Sequence, residues 1–341
     1  MAALLMMIIN INATFALGAS PLKMEYASLP GQTINGQLTV YNTSDVTQKI
    51  IITKSDFDMD ENQENMLFLN DEDESYAYSL QQWIILPQED IIVGPKEKSV
   101  IPYQIAIPVE ARAQGYYGAL FVRSEPAPTS KENEQENSGV KIVTQIAHLV
   151  LLEVEGSIKD VSLKDFNIDL SAIDGSNTKT PFFDVVVYNQ GNVHSAPEGV
   201  VEIINSEGET VDELQINIAH NNVLPQKTKT YFSEGYVKDL PAGTYYAVLD
   251  GKAENGQQLQ GKITFTIDRQ GKVEMIDKYI GAIDISSLKG TAQNKYVIFQ
   301  TALAILAIFI FTIAFVAIGR YCIVSSKTFS KKSFYKFFRK K

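Results

Sequence analysis

Short runs of alternating apolar and polar residues follow one another from Pro21 to about Asp268. The runs are rich in Val, Ile, Thr, Tyr and Phe, and Gly, Pro, Asn and Asp separate them. Alternation with a period of two predicts β-strands, because successive side chains of a strand point to opposite faces. The predicted strands cover residues 36–42, 49–57, 99–108, 116–124, 139–156, 181–189, 199–205, 228–235, 243–250 and 259–268.

Strands at this spacing predict an all-β protein with two tandem immunoglobulin-like β-sandwiches, followed by one transmembrane α-helix. A weak internal repeat supports two copies of one fold. LTVYNTSD at Leu38 resembles VVVYNQGN at Val185, and GYYGAL at Gly115 resembles GTYYAVL at Gly243. We therefore expect each pair of motifs to occupy equivalent positions in the two sandwiches.

The domain boundaries follow from shifts in composition. The first sandwich is assigned to residues 20–156 and the second to residues 157–268. The first copy is longer between its two motifs, which indicates an inserted acidic hairpin or loop within residues 57–75. Residues 125–139, EPAPTSKENEQENSG, have the composition of a disordered segment, either a surface loop of the first sandwich or a linker. Residues 269–295 are interpreted as a juxtamembrane stalk.

Both ends of the chain indicate a membrane protein. Residues 296–319 carry no charged side chain and, as a helix, would span a hydrocarbon core of about 30 Å. Residues 320–341 form a basic tail, which predicts that this end is cytoplasmic and the larger N-terminal part extracellular. Residues 1–19 are interpreted as a signal peptide cleaved after Ala16 or Ala19, with a second membrane anchor as the alternative.

The charge balance excludes nucleic acid as a default partner. The chain has 30 Lys and Arg against 40 Asp and Glu, a net charge of −10. The basic tail holds eight of the 30, so the region preceding it is strongly acidic, whereas phosphate binding requires clustered cations. One Cys and three His also argue against a disulfide framework and against a Cys- or His-based metal centre.

One acidic motif is a candidate calcium site. Asp56, Asp58 and Asp60 alternate in DFDMDENQE, as the first three ligands of an EF-hand loop do. The rest of that pattern is missing, because Glu61 stands where Gly is required and Leu67 where a bidentate Glu belongs. The motif is therefore either a looser calcium site, the only cofactor considered, or a solvated acidic hairpin.

The contact residues considered for a glycan or protein partner are aromatic. Trp83, Tyr116 and Tyr117 could stack on a sugar ring or, alternatively, fill the interior of a sandwich. No catalytic motif is found in the sequence: it contains no GxSxG elbow, no P-loop and no HExxH. We therefore expect a binding protein and not an enzyme.

The order of motifs in the first half resembles the WxL-interacting surface proteins of Gram-positive bacteria and related membrane-anchored bacterial proteins. The residues that carry the resemblance are Pro30, Gly31, Asn42, Ser44, Pro108, Gly115, Tyr117 and Gly118. The resemblance implies two immunoglobulin-like domains outside the membrane, the first binding peptidoglycan and the second binding partner or host proteins. The expected function is thus non-covalent binding of cell-wall glycan or a surface protein. The alternative is a membrane-tethered chaperone or assembly factor.

Overall fold

The computed structural model describes residues 17–61, 65–69, 76–126, 145–169, 181–234, 240–289 and the single positions 305, 306 and 308. Between residues 17 and 289 the regular structure is almost entirely β-strand, with a 3-10 turn at Gln81–Trp83 and one helical turn at 285–289. The described part of the chain is therefore all-β and forms two sandwiches, as the alternating pattern predicts.

The first sandwich consists of two sheets. Its strands are β1 (Leu17–Ser20), β2 (Lys23–Ser28), β3 (Thr33–Asn42), β4 (Gln48–Met59), β5 (Met66–Leu69), β6 (Ile84–Ile85), β7 (Asp90–Val93), β8 (Lys98–Ala106), β9 (Gly115–Pro126) and β10 (Gln145–Val154). One sheet has the order β1-β3-β8-β6, and the other has the order β2-β10-β9-β4-β5 with β7 also paired to β4. Only the β2–β10 pair in these sheets is parallel. Leu38, Ile52, Ile105 and Leu120 are among the buried side chains between the sheets.

The second sandwich is one continuous ladder folded on itself. Its strands are β11 (Val161–Asp169), β12 (Phe182–Asn189), β13 (Glu198–Asn205), β14 (Thr210–Ile216), β15 (Thr228–Glu234), β16 (Gly243–Lys252), β17 (Gln258–Ile267) and β18 (Val273–Ile280). Their order is β11-β12-β15-β14-β13-β16-β17-β18. The two ends of the ladder meet, because β11 also packs against β17 and β18. Phe166, Phe183 and Phe265 lie in the core that this closure buries.

The structure confirms that the repeated motifs are equivalent. Asn42 ends β3 and Asn189 ends β12, strands that occupy the same place in the two sandwiches. Asn42 Nδ2 donates to the carbonyls of Val46 and Val93, at 2.7 and 3.1 Å. Asn189 Nδ2 likewise donates to the carbonyls of Val193 and Val223, at 2.8 and 3.0 Å. Both amides are buried, so each closes its turn by satisfying backbone groups that water cannot reach.

The paired tyrosine motifs show the same equivalence. Tyr116 on β9 donates its hydroxyl to the carbonyl of Arg112 at 3.2 Å. Tyr245 on β16 donates to the carbonyl of Pro241 at 2.7 Å. In both sandwiches the acceptor lies four residues earlier, and both rings are buried. The first sandwich adds a hairpin of β4 and β5 that the second lacks between β13 and β14, which agrees with the insertion expected within residues 57–75.

Some boundaries differ from those expected. Residues 273–280, which were assigned to the juxtamembrane stalk, form β18 of the second sandwich. The helical turn at 285–289 also contacts this sandwich, because Lys289 forms an ion pair with Glu202. Glu125 and Pro126, placed in the disordered segment, belong to β9. The chain passes between the sandwiches through residues 155–160, where the sequence places the boundary.

Several predicted segments lie outside the described residues. They are residues 1–16 of the signal peptide, residues 127–144, the stalk after residue 289, nearly all of the predicted span at 296–319, and the basic tail. Among the residues that are described, no helix is both long enough and apolar enough to cross a bilayer. Leu17, the first described residue, is buried in β1 and pairs with Asn42.

Candidate functional site

The two sandwiches meet in an apolar junction. The outer face of the β2-β10-β9-β4-β5 sheet contributes Phe57, Tyr117, Ala119 and Leu151, and the second sandwich contributes Leu224. All five side chains are buried, with Leu224 only 4% exposed. Burial of this surface stabilises the contact at about 25 cal/mol per Å². The junction therefore acts as a small third core between the domains.

Hydrogen bonds across the junction fix the orientation of the domains. The backbone N–H of His194 donates to Tyr117 Oη at 2.9 Å, in a buried position. The N–H of Gly115 donates to the carbonyl of Asn192 at 2.8 Å, and Asn192 Nδ2 returns a bond to the carbonyl of Ala113 at 2.8 Å. Because these bonds are directional, a rotation of one sandwich against the other would break several of them.

A charged cluster surrounds His194 at one side of the junction. His194 Nε2 lies 3.9 Å from a carboxylate oxygen of Glu25, and Lys159 pairs with both Glu153 and Glu254 at 3.0 and 2.8 Å. Burial lowers the pKa of the His194 imidazole, because desolvation disfavours its cation more strongly than Glu25 and the other carboxylates favour it. The histidine is therefore held neutral at neutral pH.

Two lysines from different domains lie near each other beside this cluster. Lys23 on β2 pairs with Glu25 at 2.8 Å, and Lys229 on β15 donates to the carbonyl of Asn222 at 3.2 Å. Asn222 Nδ2 in turn donates to Glu25 at 2.7 Å, across the junction. Burial, together with the positive charge of Lys23, lowers the pKa of Lys229. The sequence contained no signal for this grouping, because the two lysines are some 200 positions apart.

The three aspartates of the predicted calcium motif have separate structural partners. Asp56 Oδ1 accepts the N–H groups of Leu80 and Gln81, both at 2.8 Å. Asp58 forms an ion pair with Lys227 at 3.1 Å. The carboxylate of Asp60 accepts a hydrogen bond from the side-chain amide of Asn65 at 2.8 Å. Within the described ranges, no three His, Cys, Asp or Glu side chains are grouped so that they could hold a metal ion. Asp56 is buried, so its role among the described residues is to accept backbone N–H groups within the fold.

The predicted aromatic contact residues are mostly interior. Tyr117 is fully buried in the junction, and Tyr116 is 5% exposed. Trp83 is half-buried and packs against Tyr116 with ring centroids 4.2 Å apart. The expectation that Tyr116 and Tyr117 contact a surface ligand is therefore wrong, because the core and the junction enclose both rings.

A polar cleft of about 620 Å³ lies on the second sandwich. Its lining includes Glu198, His220, Asp250 and Lys252, and no Trp, Tyr or Phe is among the described residues that line it. Lys252 Nζ is 3.1 Å from Glu198, and His220 Nδ1 is 4.0 Å from the same carboxylate. Glu198 is thus paired with Lys252, and the described lining offers no aromatic platform for a sugar ring.

The β4–β5 hairpin exposes three consecutive apolar residues of the first sandwich. Met66, Leu67 and Phe68 are 38%, 45% and 40% exposed on a strand only four residues long. Phe68 packs edge-on against Phe121 of β9, with ring centroids 4.6 Å apart. Sequence reasoning recognised the acidic insertion but missed its apolar strand, because four residues are too few to show a period.

The second sandwich supports the base of this hairpin. Lys227 Nζ donates to the carbonyl of Met59 at 2.7 Å, in addition to its ion pair with Asp58. The N–H of Thr228 donates to the carbonyl of Glu61 at 3.1 Å. The hairpin therefore projects from one domain while contacts with the other hold it in place. We regard the junction and this supported hairpin together as the candidate functional site.

Comparison with known proteins leaves the family open. No protein-family model and no curated protein matches the chain. Among solved structures, the chain is similar to the class 5 fimbriae chaperone CfaA, with 14% identity over 76% of this chain and 99% of that one and a TM-score of 0.37. The chaperone CupB2 of Pseudomonas aeruginosa gives 10% identity, 77% and 100% coverage and a TM-score of 0.35. These TM-scores are too low to indicate a function, which is therefore inferred from the geometry of this chain alone.

Proposed function

We propose that this chain is a membrane-anchored protein whose two β-sandwiches face the outside of the cell and bind another protein, in adhesion or in the assembly of surface proteins. The observation that carries the proposal is the supported hairpin. Met66, Leu67 and Phe68 are consecutive apolar residues exposed on this hairpin, and contacts from the second domain hold the base of the hairpin in place. The membrane anchor is proposed from the uncharged residues 296–319 and the basic tail.

A protein partner suits this surface better than a glycan. Binding of sugar rings relies on accessible aromatic faces, and the rings of Tyr116 and Tyr117 are enclosed. The hairpin instead offers aliphatic and aromatic side chains next to backbone groups, which is how sheet edges bind protein segments. The assembly-factor alternative is therefore preferred to peptidoglycan binding, and calcium is not part of the proposal.

The rigid junction also favours protein binding. A surface built from both domains keeps its shape only if the domains do not rotate, and the buried bond from the His194 N–H to Tyr117 Oη opposes rotation. Preorganisation of this kind improves affinity, because less conformational freedom is lost on binding.

The proposal is tested with the full-length chain in its own cells. Chemical cross-linking of intact cells should yield one defined adduct with another surface protein, and purified wall sacculi should retain the protein no better than an unrelated membrane protein of similar charge. Lys227→Met, which removes the support of the hairpin, should reduce the adduct, whereas Lys96→Met, at an exposed ion pair with Asp45, should not. Specific retention on sacculi without any protein adduct would refute the proposal.

A further inference from the structure

No described strand pairs with the outer edge of β5. The N–H of Asp60 donates to the carbonyl of Asn65 at 3.0 Å, so the backbone of residue 65 faces β4. Since backbone groups alternate in direction along an antiparallel strand, residues 67 and 69 also face β4, and the N–H and C=O groups of Met66 and Phe68 point away from it. Within the described residues, no strand pairs with β5 on that side.

Two other exposed edges of the first sandwich carry features that discourage pairing. Strand β6 covers the outer side of β8 only at Ile105 and Gln104. The N–H of Ile107 donates to the carbonyl of Gln32 on the β3 side, which places the backbone of Pro102 on the uncovered part of the outer side. Proline has no N–H to donate, so this edge lacks one donor of a ladder. Strand β2 exposes Lys23 and Glu25 along its edge, and both side chains already contact the second sandwich.

Strand β5 has none of these protective features. Its sequence, MLFL, contains no charge, proline or bulge, and its register with β4 is regular from Met66 to Leu69. Natural proteins limit pairing at exposed edges with very short strands, lysine, proline or bulges, because an exposed apolar edge is a template for another strand. Strand β5 has only four residues but lacks the other three devices, and the contacts of Lys227 and Thr228 hold the base of its hairpin in place. Its edge is therefore suited to accept a short partner segment.

The charge around β5 limits what that partner can be. No Lys or Arg occurs between Lys54 and Lys96, and Asp60, Glu61 and Glu64 precede the strand. Asp71 to Glu74 are four consecutive acids that follow it. Edge-to-edge pairing of two copies of this chain would bring these like charges together, which disfavours a second copy. A segment with basic residues at its ends would instead be attracted.

We propose that β5 is a docking strand, to which an extended segment of a partner protein adds by backbone pairing with Met66 and Phe68. The segment has apolar side chains at alternate positions, which pack on Phe68, and Lys or Arg near its ends. The buried junction lies next to this surface, because Phe68 pairs in register with buried Phe57. The inference rests on the proposed function, since it names where and how a protein partner binds.

The test uses the full-length chain in lipid nanodiscs and a synthetic probe. The probe is a labelled peptide of alternating Val and Thr with two Lys at each end, and the controls are the same peptide with Glu ends and with a central Pro. Fluorescence anisotropy should show saturable binding of the Lys-ended peptide and at least about tenfold weaker binding of both controls. Hydrogen exchange should show new protection of the Met66 and Phe68 amides when the Lys-ended peptide is bound.

Matched variants locate the site. Phe68→Lys removes the apolar contact, and Met66→Pro removes an outward N–H without touching the β4 ladder; each should weaken the peptide by at least about tenfold. Ile92→Lys, at a 60% exposed position on β7 of the same sheet, is the control and should change binding less than about twofold. Unchanged protection of β4 and β9 amides shows that each variant is folded.

The outcomes separate this inference from the proposed function. If the Lys-ended peptide does not bind, or binds all three variants equally, the docking strand is refuted. If the cellular adduct persists undiminished in Phe68→Lys, the docking strand is again refuted while the proposed function stands. If no adduct forms with the unaltered chain but sacculi retain it specifically, the proposed function fails whatever the peptide does.

Discussion

The bond between Tyr117 and His194 provides a direct test of the rigid junction. In Tyr117→Phe the ring stays in place, but the buried N–H of His194 loses its acceptor at 2.9 Å. An unsatisfied buried donor costs about 1–3 kcal/mol. If opening of the junction is what exposes this amide, its hydrogen exchange should accelerate by about five- to 150-fold.

The assay is hydrogen exchange with mass spectrometry on the full-length chain, following the peptide that contains His194. Tyr116→Phe is the matched control, because it removes the same oxygen one residue away, where the hydroxyl bonds only to the N–H and carbonyl of Arg112 in the same domain. The control should accelerate exchange at Arg112 and leave His194 unchanged. Equal rates at His194 in Tyr117→Phe and the unaltered chain would show that this bond does not hold the domains together.

Three further predictions use thermal melts of the full-length chain followed by circular dichroism. Asn42→Ala and Asn189→Ala should each destabilise their domain by about 2–4 kcal/mol, since each removes buried hydrogen bonds worth about 1–1.5 kcal/mol apiece. If either variant lowers the free energy of unfolding by less than about 0.5 kcal/mol, the shared role of the two asparagines is contradicted. Burial lowers the pKa of His148 and His194 in the folded chain. As the pH falls through about 6.5, the unfolded chain therefore binds protons before the folded chain does, and the free energy of unfolding decreases. The decrease is at most about 1.4 kcal/mol per pH unit for each histidine. Replacing both by Gln should flatten this dependence, and an unchanged slope would assign it to other groups. Gly199→Ala should destabilise the second sandwich by more than about 2 kcal/mol, because the added Cβ would lie 2.6 Å from the Cα of Gly251. An unchanged melting temperature would show that the two strands do not approach this closely.

Much of the architecture could be predicted because it depends on local pattern. Every strand predicted from the alternation corresponds to a strand of the structure. The strands β1, β5, β6 and β7 were missed, since two to four residues show no reliable period. The longer strands β2, β11 and β14 were also not among those predicted. Strand β18 was missed for another reason: seven of its eight residues are exposed, so its sequence lacks the apolar face that marks a half-buried strand.

The candidate site was predicted less well, because it depends on which faces meet. Asp56 was singled out for its spacing with neighbouring acids, yet its partners are N–H groups at residues 80 and 81. Tyr117 was chosen as an aromatic contact residue, yet a surface of the second sandwich covers it. Lys227, which supports the hairpin, lies 168 positions from its acceptor Met59, too far apart for a local sequence pattern to connect them.

The sequence by itself determined the all-β class, the two copies of one fold and the acidic insertion in the first. These follow from periodicity, turn residues and motif repetition, which act over a few residues. The tertiary structure alone decided that the domains share a buried junction, that Tyr116 and Tyr117 are enclosed and that no described strand pairs with the outer edge of β5. The physical reason is that burial and edge pairing depend on surfaces brought together from positions up to about 200 residues apart, and chain connectivity does not specify them locally.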